Sequence, residues 1–78
     1  MKIEKEVYVL VQESDGEIVY LTPSYRLDND ISEAMKAKNR ITAACIRDDF
    51  FKRYKYELEI VPIKITYEWP EEFIFQRY

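Results

Sequence analysis

Few side chains in this chain could do chemistry, and their types narrow what that chemistry would be. The 78 residues contain no histidine, one cysteine and one glycine. The usual general base, the common zinc spacings and the glycine loops that cradle phosphates therefore all lack their parts. Cys45 lies in the stretch RITAACIRDDFF, residues 40–51. A thiol nucleophile needs an adjacent base or a lowered pKa, and no histidine can serve it, while Lys52 and Arg53 stand a full turn or more away on a helix. The chain reads as non-enzymatic, with no cofactor and no metal.

The remaining chemistry is binding, and charge is its first clue. Residues 1–35 carry a net charge of −5, residues 36–55 carry +5 and residues 56–78 carry −3. The basic segment either shows solvated lysines and arginines to water or meets an anionic partner. Overall acidity, −3 for the whole chain, argues against general nucleic-acid affinity, which comes mainly from neutralising phosphates.

These residues must be positioned by a small scaffold. At this length one domain forms, burying about 60% of its unfolded surface, so function has to use what is left outside. Residues 6–12, EVYVLVQ, are rich in β-branched and aromatic types and predict a strand. Asp15-Gly16 supplies the positive φ angles of a tight hairpin turn, and EIVYL, residues 17–21, is the return strand. Pro23 breaks the ladder, and Tyr25-Arg26-Leu27 suits a short third strand or an extended linker. Asp30-Ile31-Ser32-Glu33 has the form of a capping box, with Glu33 placed to return the bond. The turn it caps would pack Ile31, Ala34 and Met35 onto the sheet, and Met35-Lys36-Ala37-Lys38 alternates like a brief strand.

Asn39 is an N-cap for a main helix from about Arg40 to Tyr54. Residues 56–69, YELEIVPIKITYEW, then read as a long strand that changes phase within itself. Tyr56, Leu58 and Ile60 share one parity; Val61, Ile63, Ile65, Tyr67 and Trp69 share the other. A bulge or bend near Ile60-Val61-Pro62 is expected to reconcile the two, with Pro62 favouring an edge strand. The order β-β-(β)-α-β gives an α+β domain over residues 1–69, a small, mainly antiparallel sheet covered by one helix. Residues 70–78, PEEFIFQRY, form an aromatic C-terminal tail.

At about 100° per residue, Ala43, Ile46, Phe50 and Tyr54 fall within an arc of roughly 80°, flanked by Ala44 and Phe51, and make the core face of the helix. Ile41 and Cys45 fall opposite, beside Asp48, Asp49 and Lys52. Apolar residues on an otherwise charged side either lie beneath another element, such as the tail, or mark an interface. The tail bears on the same question. Nine of the twelve aromatic residues lie from Phe50 onward. Some of Trp69, Phe73, Phe75 and Tyr78 must be surplus to so small a core, so the tail either folds back over the helix or sheet or offers an interface, where aromatic residues are enriched at hot spots.

A strand of the Tyr8-Val9-Leu10 kind, an Asp-Gly hairpin, an Asp30-Ile31-Ser32-Glu33-Ala34 turn, a helix with the Ala43 and Ile46 pattern and a YELEIVPIKITYE strand come in an order that matters. It resembles that of a loose group of very small phage and prophage proteins of Gram-positive bacteria. The chain departs from the group at Ala37, where a larger core residue is expected, at Ile41 and Cys45, where charged residues are usual, and in its added PEEFIFQRY. The resemblance carries no residue-level activity. It implies a setting in which many small proteins bind and inhibit host machinery, anti-defence proteins among them.

Together these residues point to a non-catalytic protein-binding module, and the resemblance implies a phage-encoded modulator or inhibitor of a host or defence protein. Its partner-binding surface would use Arg40, Ile41, Cys45, Arg47, Phe51, Lys52 and Arg53, or the aromatics Trp69, Phe73 and Phe75. An alternative is nucleic-acid binding through Lys36, Lys38, Arg40, Arg47, Arg53 and Lys55 with aromatic stacking. A third is a homo-oligomeric structural protein whose outer helix face is self-complementary. A charged N-terminus, no membrane-length apolar run and a single cysteine lead to the expectation of a cytoplasmic protein with no membrane partner.

Overall fold

The computed structural model describes residues 2–69. It is an α+β domain: a four-stranded antiparallel sheet and one helix. The strands are β1 (Lys2–Ser14), β2 (Glu17–Leu21), β3 (Leu27–Asp28) and β4 (Glu59–Glu68), and the helix is α1 (Arg40–Tyr54). In space the strands run β3-β2-β1-β4, so β4 is an edge.

The hairpin between β1 and β2 turns on Asp15 and Gly16, both at positive φ (51° and 80°), the backbone that the Asp-Gly pair predicts. Asn39 caps α1 by accepting the Thr42 N–H at 2.8 Å. Lys55 closes the helix in the left-handed region (φ 61°), its N–H returning to the Phe51 carbonyl at 2.8 Å. Asp30 caps a three-residue 3₁₀ turn (Ile31–Glu33), but its partner differs from the expected one. The carboxylate accepts the Ser32 N–H and hydroxyl at 2.9 and 2.8 Å rather than pairing with Glu33. Those two bonds favour the ionised form and hold the Asp30 pKa below its usual value.

Two expectations fail here. Ile31 is 46% exposed and does not pack on the sheet; only Ala34 and, partly, Met35 do. A single 3₁₀ turn sets side chains about 120° apart, so Ile31 cannot share a face with both Ala34 and Met35 once the chain leaves the turn in an extended conformation. Nor is there a bulge in β4. The β1–β4 register is unbroken from Lys2↔Glu68 to Val11↔Glu59.

The phase change has another cause. Leu58 and Ile60 sit with Leu10, Leu21, Ala43 and Phe50 in the core beneath α1. Val61, Ile63 and Ile65, level with Val9, Val7 and Lys5, belong by alternation to the opposite face. The strand is regular and changes the face it makes apolar. Pro62 fits this register without loss, because its partner Tyr8 turns both backbone groups away from β4, to Ala37 (2.9 and 2.8 Å). Tyr8 and Pro62 are thus a non-hydrogen-bonded pair, and the missing N–H of Pro62 lies at the free edge.

The Tyr8 bridge also explains Ala37. It is 6% exposed, pressed between β1 and the core, and a larger side chain would have no room. The strand expected from residue 6 begins at Lys2 because β4 continues to Glu68 beside it. The tail, residues 70–78, with the expected sites Phe73 and Phe75, lies outside the described residues.

Candidate functional site

Three elements lock α1 in place and so decide which of its side chains remain outside. Phe50, 3% exposed, meets the Tyr25 ring edge-on at 5.8 Å between centroids and stacks obliquely on Tyr54 at 4.8 Å. Tyr25 reaches this place from a left-handed backbone (φ 60°), an uncommon conformation for a bulky residue, held by its N–H to the Thr22 carbonyl at 2.9 Å. Its hydroxyl donates to the Asp49 carboxylate at 3.0 Å. Partial burial first, and that bond second, push the Tyr25 hydroxyl above its ordinary pKa. Tyr54 keeps its ring on Phe50 although half of its surface is exposed.

The outer side of α1 then carries Ile41, 77% exposed, and Cys45, also exposed and one turn on. No described element covers them, so the arrangement in which another element hides this face is not what the fold presents among the described residues. Phe51 is 41% exposed and flanks a surface groove of about 490 Å³. Arg47, Asp48 and Lys52 from the helix and Glu57 and Leu58 from the following loop line the rest of it.

The predicted residues do not all converge. Ile41, Cys45 and Lys52 lie along one outer stripe, and Arg47 and Phe51 lie on the flank that borders the groove. Arg40 instead turns toward the sheet, its guanidinium 5.9 Å from the Tyr8 ring centroid. Arg53 lies on the far flank, 5.7 Å from the Tyr25 ring and 3.3 Å from Asp49. Trp69 is half-buried at the end of β4, remote in sequence register from the helix stripe.

The basic residues of the nucleic-acid alternative are dispersed in the same way. The Lys36 ammonium donates to the Ala34 carbonyl at 3.1 Å, Arg47 pairs with Asp48 at 3.3 Å, and the Lys55 ammonium sits 5.8 Å from the Phe51 ring. These pairs are exposed and contribute little to stability. Their consequence is geometric: the +5 of the segment is spread around the helix and interleaved with Asp48 and Asp49, with no single basic track.

A surface that composition alone hides is the sheet face opposite α1. Ile3, Val7, Val61, Ile63, Ile65 and Tyr67 share it, by register, with Ile18 and Tyr20 of β2. The strict i, i+2 spacing of Ile63, Ile65 and Tyr67 was the signal for it.

Among the described residues there is no cluster of three or more metal-ligating side chains, and no helix is long and apolar enough to cross a membrane. Comparison with protein-family models, curated proteins and solved structures returned no match.

Proposed function

We propose that this chain is a non-catalytic protein-binding module, a modulator or inhibitor of a host or defence protein in the setting that the phage resemblance implies. One observation carries the proposal: Ile41 stands 77% exposed beside an exposed Cys45, within the chain's only net-basic segment. Single exposed aliphatic residues are ordinary, but here the groove bordered by Phe51 and Leu58 adjoins the stripe and adds aromatic surface rimmed by Arg47 and Lys52. Aromatic and arginine side chains around a desolvated centre are the usual makeup of an interface hot spot. The complementary partner surface is apolar with acidic residues at its rim.

The nucleic-acid alternative draws less support. Affinity for phosphates requires cations that can be neutralised together, and Arg40, Arg47, Arg53 and Lys36 point in different directions, each against a neighbour.

Affinity capture from a lysate of a Gram-positive bacterium, compared between the native chain and the Ile41→Asp and Phe51→Ala variants, tests the proposal. A protein retained by the native chain and lost from both variants supports it. Retention of nucleic acid on the column, released by moderate salt and indifferent to Ile41→Asp, would overturn it in favour of the alternative.

A further inference from the structure

We propose that the outer edge of β4, from Lys64 to Glu68, adds to the same edge of a second copy of this chain, making one continuous antiparallel sheet about a two-fold axis at Thr66. The inference uses a different surface from the helix stripe and does not depend on it.

The edge is open where the ribbon runs beyond the helix. Pro62 pairs with Tyr8 without ladder bonds, since Tyr8 gives its N–H and C=O to Ala37. By alternation Lys64, Thr66 and Glu68, level with Glu6, Glu4 and Lys2, also aim their backbone groups away from β1. β4 is the last strand of the sheet, so among the described residues no strand stands beside them. Such a row of unpaired donors and acceptors is a template for another strand. In the sequence Pro62 stands four residues before Thr66 and Pro70 four residues after it. Neither has an N–H to donate, so the usable edge is stopped at equal distances on either side of Thr66.

Charge then fixes the register. An axis at Thr66 faces Lys64 of each copy with Glu68 of the other, twice, and Thr66 with Thr66; opposite charges and threonine pairs are both favourable across strands. Within each copy Lys64 already lies beside Glu6, and the Glu68 carboxylate is 3.8 Å from the Lys2 ammonium. Across the four strands the row reads Glu6, Lys64, Glu68, Lys2, alternating in sign throughout. Moving the axis to Ile65 or to Tyr67 would face Glu68 or Lys64 with a proline instead. On the other edge of the ribbon, the same operation about Glu4 would set Glu4 against Glu4.

The apolar side chains agree with this register. Ile3 and Tyr67, on the face opposite α1, are 41% and 51% exposed. The axis sets Ile65 of each copy against Tyr67 of the other as a close, non-hydrogen-bonded pair, with Ile3 next in line beside Tyr67. Three residues from each copy thus join in one apolar strip. Self-complementarity of bonds, charge and apolar surface together is what an isologous interface requires. A single strand pair buries less than the roughly 800 Å² per partner of a standard interface, so the dimer is expected to dissociate on dilution.

Sedimentation velocity on the full chain across a dilution series tests the proposal. Thr66→Pro removes only an outward N–H, as Pro62 does, so it should abolish the dimer and leave the melting transition nearly unchanged. Lys64→Glu and Glu68→Lys each set like charges together and should weaken self-association about tenfold. Mixed in equal amounts, those two variants bring opposite charges back into register, and the mixture should dimerise as the native chain does although neither variant does so alone. Should Thr66→Pro lower the melting temperature, the mixing experiment, which leaves the backbone intact, decides. In the native chain an Hα–Hα nuclear Overhauser contact is expected between Ile65 of one copy and Tyr67 of a differently labelled copy. A chain that is monomeric at every concentration, a dimer that survives Thr66→Pro, or a mixture no better than its components would each overturn the proposal. So would contacts from the Thr66 N–H to residues 70–78 of the same chain in place of those to a second copy.

Discussion

The sheet face turned away from the helix carries more aliphatic side chains than the face beneath it, yet only the latter is closed by the chain's own helix. The difference comes from lengths. At ~1.5 Å per residue the 15 residues of α1 reach about 22 Å, whereas the 13 residues of β1 reach roughly 43 Å at ~3.3 Å each. The end of the β1–β4 ribbon that runs toward Lys2 and Glu68 therefore lies beyond the helix. On the helix side that end is polar, with Lys2, Glu4, Glu6, Lys64, Thr66 and Glu68; on the far side Ile3, Ile63, Ile65 and Tyr67 continue the apolar stripe. The phase change at Ile60-Val61 marks where the ribbon leaves the cover of α1. A switch of parity inside one strand can thus report where a neighbouring element ends, with no irregularity in the strand itself.

The largest expected effect breaks the closed face. Phe50→Ala removes the ring that meets Tyr25, Tyr54 and Tyr56, and truncations of this kind cost about 3–5 kcal/mol. A domain of this size has roughly 4–12 kcal/mol of stability in total, so the melting transition should collapse or fall by tens of degrees. Ile63→Ala, on the open face, should cost only about 1 kcal/mol in dilute solution, because a half-buried side chain has less to lose. Chemical denaturation of both variants at low concentration checks the ratio. Equal losses would mean that the far face is as enclosed as the near one.

Much of this architecture was legible in the residues. Asp15-Gly16 fixed the hairpin, Asn39 the start of α1, and the Ala43, Ile46 and Phe50 spacing its inner face, because each rests on contacts within a few positions. What escaped depended on distant partners. Lys2–Lys5 look like a charged leader until Ile65–Glu68 pair with them. Ile31 looks apolar enough to bury, but the Asp30–Ser32 bonds shape a turn that leaves it outside. At the candidate site, exposed Ile41 and Cys45 followed from helix angle alone. The turning of Arg40 toward Tyr8 and of Arg53 toward Tyr25 did not, since both rings come from strands or loops far away in sequence.

A smaller effect concerns the end of the helix that closes the near face. Lys55 holds a left-handed backbone at the C-terminus of α1, where a side chain costs about 1 kcal/mol relative to glycine. Lys55→Gly should stabilise the domain by about 0.5–1 kcal/mol while leaving the Phe51 carbonyl bond in place. A rise of a few degrees in melting temperature is the expected result. A fall would show that the contact of the Lys55 ammonium with the Phe51 ring outweighs the backbone strain.

The smallest expected effect on stability lies on the outer side of that helix, and it separates a surface from a core most sharply. Ile41 is 77% exposed, so Ile41→Asp forfeits little buried area. It also places a carboxylate at the second helical position, and the first turn of α1 contains no acidic residue. A negative charge there gains about 0.3–1 kcal/mol from the unsatisfied N–H groups, which offsets the poorer helix propensity of aspartate. The net change should stay within about 0.5 kcal/mol. Ile41→Lys removes the same apolar surface but carries the opposite charge, so it should melt slightly lower than Ile41→Asp. If both variants lose several kcal/mol alike, charge is irrelevant and Ile41 is buried by something in solution. If they differ only by the small electrostatic increment, Ile41 contributes nothing to folding, and whatever it contributes must be read in association with a partner.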